Sequence, residues 1–137
     1  MMSKTSRVVT AFIQQKNTVL LLKRSNEVGS FSGYWSGISG YLENSDPLEQ
    51  VWREIAEETT ISREQLKLIK IGEPLDTSTD AGRFIIYPFL LKPIKSIKIK
   101  LNWENSSYRW VVPEKIPQLK TVPDLYQVWR RVKNDPL

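Results

Sequence analysis

Residues Asp46–Thr60 read DPLEQVWREIAEETT. Asp46 can accept hydrogen bonds from the free amides of a first helical turn. Pro47 suits the first helical position, and Glu49 completes a D-x-x-E capping box. Leu48, Val51, Trp52, Ile55 and Thr59 then fall on one face at helical spacing. The stretch predicts an amphipathic helix that ends near Thr60. Glu54, Glu57 and Glu58 share a flank about 100° wide beside the apolar stripe. Arg53 precedes Glu57 by one helical turn and can pair with it. Several acids with a single basic partner repel one another, which costs stability unless a cation compensates. Carboxylate oxygens are natural ligands for Mg2+ or Mn2+, and those ions bind phosphate oxygens in turn. The same acids would also suit the solvated face of an ordinary helix, so both readings stand at this point.

Before the helix, RVVTAFI (Arg7–Ile13) and TVLLLKR (Thr18–Arg24) are rich in β-branched and apolar residues and read as strands joined by a short turn. Ser25–Gly40 holds four glycines and five serines and reads as a loop in which WSGIS could form a short strand. A phosphate could approach its backbone amides. After the helix, QLKLIKIGEP and RFIIYPFLLKP read as strands, with Pro88 implying an edge position or a bulge. IKSIKIKLNW (Ile94–Trp103) alternates Lys with Ile and Leu, the pattern of a strand with one solvated face. YRWVVPEKIPQL starts as a strand and turns at Pro113 and Pro117. Leu125, Val128, Trp129 and Val132 form the apolar stripe of a second helix. The order β-β-loop-α-β-β-β-β-α predicts one α/β domain over residues 1–137.

The composition narrows the chemistry. The 137 residues contain no cysteine and no histidine. Disulfides, thiolate nucleophiles, Ser-His-Asp triads and histidine metal sites are excluded. Catalysis would have to use carboxylates, Lys, Arg, Tyr, Ser, Thr or a hard metal ion held by oxygen. The net charge of +5 favours anionic ligands. With no dense basic patch and no nucleic-acid motif, nucleic acid is not expected as a partner. No apolar run approaches the length of a membrane span and no secretory pattern is visible, so a cytoplasmic location is expected.

The segment GYLENSDPLEQVWREIAEETTI, Gly40–Ile61, resembles the signature box of the Nudix hydrolases. Its R-E-U-x-E-E half, with U aliphatic, is intact as Arg53, Glu54, Ile55, Ala56, Glu57 and Glu58, and the final aliphatic is Ile61. The resemblance implies an α/β/α sandwich with a mixed β-sheet between helices. It implies hydrolysis of a nucleoside diphosphate linked to another moiety, such as a nucleotide sugar, ADP-ribose or a nucleoside triphosphate. It implies that Glu54, Glu57, Glu58 and the backbone carbonyl of Ser39 bind Mg2+, with Mn2+ as a substitute. Arg53 would orient the glutamates by ion pairing, and Glu104 is the candidate base from a distant loop. Lys23 and Arg24 would contact phosphate, and Trp35, with Phe31 and Tyr34, would stack on a base. A small-molecule nucleotide is then the expected partner; a homodimer is common among members of that family, and the sequence leaves the assembly open.

Some positions depart from the box. Ser45 stands where its first glutamate is expected, with Glu43 and Asp46 as candidate replacements. The loop between Gly40 and Arg53 is one residue short. Thr60 replaces a glycine at the helix exit, which implies an exit geometry other than the left-handed one glycine eases. Together these leave open a Nudix-fold module that binds a nucleotide with weak or no catalysis.

Overall fold

A computed structural model describes residues 4–43 and 46–133; Asn44 and Ser45, and with them the position of the missing box glutamate, lie outside the described residues. Strands β1 (Thr5–Gln15), β2 (Thr18–Arg24), β3 (Trp35–Ser36) and β4 (Ile38–Tyr41) precede helix α1 (Pro47–Thr59). Then come β5 (Leu66–Ile71), β6 (Leu75–Thr79), β7 (Gly82–Pro93), β8 (Asn105–Val111) and helix α2 (Leu125–Arg130). The sheet runs β3-β2-β1-β7-β5, with β4 added to β1, β6 to β7 and β8 to β2. β1 and β7 pair in parallel while their other neighbours are antiparallel, so the sheet is mixed.

Period-2 alternation builds a core on each face. Val9, Ala11, Ile13, Leu20, Leu22, Phe89 and Leu91 face α1, where Val51 and Ile55 meet them. Phe12, Val19, Leu21, Ile86 and Leu90 face α2, where Leu125, Val128 and Trp129 meet them. Phe12 packs edge-on against Trp129 with ring centroids 5.4 Å apart, a contact worth about 0.5–1.5 kcal/mol beyond area burial. The result is the expected α/β/α sandwich. No helix among the described residues is long and apolar enough to cross a membrane.

Several local expectations need correction. Ile94–Trp103 forms no strand. Its alternation reflects one-sided packing instead. Ile97, Ile99 and Leu101 rest on the α1-side core, Lys95, Lys98 and Lys100 face solvent, and the Lys100 amide bonds the Thr59 carbonyl at 3.0 Å. The unforeseen β6 supplies the extra strand in its place. Pro88 lies in β7, between β1 on one side and β5 and β6 on the other, rather than at an edge. Its carbonyl accepts from Gly72, which follows β5. A strand residue points its carbonyl and amide to the same side, so the missing N–H falls at the break between β5 and β6.

At the start of α1, Asp46 accepts from the amides of Leu48 and Glu49, while Glu49 lies 3.8 Å from Arg63 across the surface. At its end, Thr60 does adopt the left-handed conformation, with φ 62°, contrary to the expectation from its side chain. Its amide bonds the Ala56 carbonyl at 3.0 Å, and the buried Thr59 hydroxyl takes the Ile61 amide at 3.2 Å. These bonds hold a β-branched residue where it costs roughly 1–2 kcal/mol. Thr60→Gly should therefore stabilise the protein by about 0.5–1 kcal/mol after glycine's entropy is counted. Thermal unfolding of the two proteins checks this, and a lower Tm for the glycine variant would contradict it.

Candidate active site

The acidic flank of α1 is turned inward. Gln50, Glu54 and Glu58, one turn apart, are only 1%, 8% and 3% exposed. Arg53 and Glu57 remain exposed. The inward turn is possible because α1 lies against β4, where Gly40 has no side chain. A Cβ on Gly40 would collide with the Glu54 carboxylate. Gln50 Nε2 donates to Glu54 Oε2 at 2.7 Å, and Asn105 Nδ2 donates to Glu58 Oε1 at 3.0 Å. Arg53 donates to Gln50 Oε1 at 3.4 Å, and among the described residues it forms no ion pair with Glu57. Asp46 has its carboxylate engaged at the helix start, and Glu43 is exposed.

Glu104 approaches this pair from the segment before β8. Asn102 Nδ2 donates to Glu104 Oε1 at 3.0 Å, and the Ser25 amide bonds the Glu104 carbonyl at 2.8 Å. Burial pushes the Glu58 carboxyl well above the usual carboxylate range; the Asn105 bond opposes this, and the charges of Glu104 and Glu54 add to it. Burial also raises the Glu54 carboxyl, against the Gln50 bond and with the charges of Glu57 and Glu104. Glu58 Oε2 is buried with no hydrogen-bond partner among the described residues. No ready-made group of three or more acids that could hold a metal ion occurs among the described residues.

A cavity of about 160 Å³ opens beside the acids. Arg24, Ser39, Gly40 and Glu104 line one end, and Thr77, Thr79, Phe84 and Pro123 belong to its other walls. Arg24 is held by Ser30, its Nε donating to the Ser30 carbonyl at 2.9 Å. The Ser39 hydroxyl bonds those of Thr10 and Ser36 at 3.1 and 3.2 Å. The tertiary structure thus gathers Glu54, Glu58, Glu104, Ser39 and Arg24. Lys23 and Trp35 do not line the cavity, and neither do Glu54, Glu57 and Glu58, of which Glu54 lies behind Gly40. Trp35 packs into the α2-side core with the Arg109 guanidinium 5.6 Å from its ring. Of the loop aromatics only Phe31 reaches the cavity wall, and Trp103 and Tyr108 stay exposed elsewhere.

Sequence reasoning missed Gln50, Asn105, Thr77 and Thr79. Gln50 could have been found, since it precedes Glu54 by one turn. Asn105 and the threonines carry no local signal, because strand pairing alone brings β8 and β6 to the site.

Comparison with known proteins places this arrangement. The family model described as NUDIX domain matches residues 4–132. The MutT protein from Methanosarcina mazei Go1 is similar at TM-score 0.79 and 26% identity, over 96% of this chain and 94% of that one. An Ap4A hydrolase from C. elegans, solved as a binary complex, superposes at TM-score 0.74 with 18% identity over 93% of each chain. The E. coli dihydroneopterin triphosphate pyrophosphohydrolase superposes at TM-score 0.72 with 20% identity, over 95% of this chain and 96% of that one. No curated protein matches in sequence.

Proposed function

Given that the chain belongs to the Nudix family and is a pyrophosphohydrolase, we propose that it hydrolyses a diphosphate bond in a nucleoside diphosphate linked to another group. The reaction would use a divalent cation, Mg2+ or in its place Mn2+, held by Glu54 and Glu58, with Glu57 and the Ser39 carbonyl as further ligands. One observation carries this reading: two buried carboxylates stand beside a third, Glu104, and one oxygen of Glu58 has no partner among the described residues. Such a set must either hold protons or be balanced by positive charge. Arg53 does not provide that charge, since it reaches Gln50. All the donors are oxygen, which suits a hard cation. Mg2+ commonly takes one or two carboxylates and fills its shell with water and substrate phosphate, so a preassembled cluster of three acids is not required.

A bound divalent cation supplies charge neutralisation at the diphosphate and a lower pKa for an attacking water. The remaining work falls to the side chains. Gln50 and the bare α-carbon of Gly40 fix the Glu54 carboxylate, and Asn105 fixes Glu58. Arg53 is a positioning residue that acts through Gln50. Arg24, braced by Ser30, binds phosphate at the cavity mouth. Glu104 takes the proton of the attacking water as its oxygen bonds to phosphorus. The bridging P–O bond breaks, and its electron pair leaves on the departing phosphate.

The test is incubation with Mg2+ and a panel of ADP-ribose, ADP-sugars, dinucleoside polyphosphates including Ap4A, nucleoside triphosphates and dihydroneopterin triphosphate. Turnover is expected on at least one compound. It should fall by about 100-fold or more in Glu54→Gln and by about 10- to 100-fold in Glu104→Gln. Undiminished turnover in Glu54→Gln would refute the site. Binding across the panel without turnover would refute hydrolysis and leave a nucleotide-binding module.

A further inference from the structure

At the end of the cavity lined by Arg24 and Glu104, three hydroxyls meet in the wall. Thr10 and Ser39 stand opposite each other across β1 and β4, and Ser36 comes from β3. Ser39 Oγ lies 3.1 Å from Thr10 Oγ1, 3.2 Å from Ser36 Oγ and 3.4 Å from the Gly37 carbonyl oxygen. All three residues line the cavity. Thr10 and Ser36 are buried, while Ser39 is half-buried.

Counting protons fixes the direction of these bonds. Each hydroxyl has one proton to give and two lone pairs. Thr10 and Ser36 have no other acceptor among the described residues, and a buried hydroxyl proton left unpaired is costly. Both protons therefore go to Ser39 Oγ and fill its lone pairs. The Ser39 proton remains, and its partner within the protein is the Gly37 carbonyl. At 3.4 Å that bond is long, since hydroxyl bonds to oxygen usually span about 2.5–3.0 Å. Little is lost when the proton turns to a ligand, and the two accepted bonds polarise the hydroxyl and strengthen it as a donor.

Arg24 stands at the same end. Its Nε donates to the Ser30 carbonyl at 2.9 Å and its Nη2 to Ser30 Oγ at 3.4 Å. Among the described residues Nη1 has no partner and no carboxylate pairs with the guanidinium. A cation and a hydroxyl that can only donate, facing one space, suit an oxygen that is charged and only accepts. We propose that the Ser39 hydroxyl, backed by Thr10 and Ser36, binds a non-bridging oxygen of the substrate's diphosphate, with Arg24 as the second donor. Ser39 would then serve the diphosphate through two groups, its carbonyl towards the cation and its hydroxyl towards phosphate. This inference rests on the proposed hydrolysis for the place of the diphosphate.

The test is calorimetric binding of inorganic pyrophosphate with Mg2+, the group that the proposed substrates share. Ser39→Ala should weaken binding by about tenfold or more, the effect of losing one hydrogen bond to a charged group. Thr10→Val removes one of the two backing bonds and should weaken it by a smaller factor. Thr10→Ser restores the hydroxyl and should recover most of that loss. The affinity for Mg2+ alone should be the same in Ser39→Ala, which keeps the carbonyl. Pyrophosphate binding unchanged in Ser39→Ala would overturn the proposal. So would a parallel fall in Mg2+ affinity, because the alanine would then act by moving the carbonyl. Weaker binding of adenosine with pyrophosphate unaffected would overturn it too, and would give the hydroxyls to a sugar. If Ser39→Ala fails to fold, Thr10→Val against Thr10→Ser decides, and equal pyrophosphate binding by the two overturns the proposal. Pyrophosphate binding that depends on Ser39, without turnover of any compound in the panel, would refute hydrolysis but uphold the subsite. Turnover with pyrophosphate binding indifferent to Ser39 would do the reverse.

Discussion

Glu58→Gln is expected to leave the metal-free protein more stable and nearly inactive. Glu58 is 3% exposed and has one oxygen without a hydrogen-bond partner among the described residues. An unsatisfied buried acceptor costs about 1–3 kcal/mol, and more when charged. A glutamine keeps an oxygen for the Asn105 amide and can turn its own amide towards Glu54. The gain should be about 1–3 kcal/mol, or roughly 3–10 °C in Tm, in the presence of a chelator. The pH dependence follows from the direction of the shift. The native carboxyl binds its proton more tightly than the unfolded one, whose ordinary value is 4.5. Below that value both states hold the proton and nothing is lost. Above it the unfolded chain releases its proton first, so native stability falls with rising pH until the native carboxyl has also ionised. Metal-free wild type should thus lose Tm as the pH rises above the ordinary carboxylate value of 4.5, and the glutamine variant should lose less. With Mg2+ and substrate, kcat should fall by about 100- to 1,000-fold. A variant of unchanged activity, or one less stable than wild type in chelator at neutral pH, would contradict the assignment.

Gly40→Ala should separate activity from stability in the opposite sense. The new methyl would overlap the Glu54 carboxylate, the end of a flexible side chain, with no backbone atom among its nearest neighbours. The side chain can swing aside, so the fold should lose only about 1 kcal/mol, the lower end of overpacking costs. The carboxylate would still be displaced, and a misplacement near 1 Å costs about 100-fold in rate. Gly37→Ala is the matching control. Its methyl would meet Thr10 Cγ2 at 2.9 Å and the Ala11 carbonyl oxygen at 3.0 Å, neither belonging to the acids. It should cost more stability, about 1–3 kcal/mol, and less activity. Tm and kcat measured on both variants decide the matter. Full kcat in Gly40→Ala would show that the position of Glu54 does not matter to the reaction.

The helix and its acids were legible because their signals are local. Asp46 and Pro47 mark the start of α1, and the apolar spacing of Val51, Ile55 and Thr59 fixes which side meets the sheet. The β-branched and apolar content of Arg7–Ile13 and Thr18–Arg24 likewise identified β1 and β2. The alternation of Ile94–Trp103 misled, because period two reports one-sided burial and says nothing about whether the backbone has a strand to pair with. Thr60 misled for a related reason. Its side chain disfavours the left-handed region, but Thr59, Ala56 and Ile61 supply bonds that hold it there. Lys23 and Trp35 fit a phosphate and a base by residue type alone, and strand pairing carried both away from the cavity.

The sequence by itself determined the apolar strands at Arg7–Ile13 and Thr18–Arg24, the capped helix and the presence of clustered carboxylates in a chain without histidine or cysteine. Those properties depend on residue type and spacing over a few positions. Only the tertiary structure decided that Glu54 and Glu58 are buried while Glu57 is exposed, that Glu104 joins them from beyond β7, and that Thr77 of β6 bonds Asp124 in front of α2. Each of these depends on pairing between segments far apart in the chain: β4 against β1, β8 against β2 and β6 against β7. Burial and charge proximity are properties of that packing, and no window of sequence contains them.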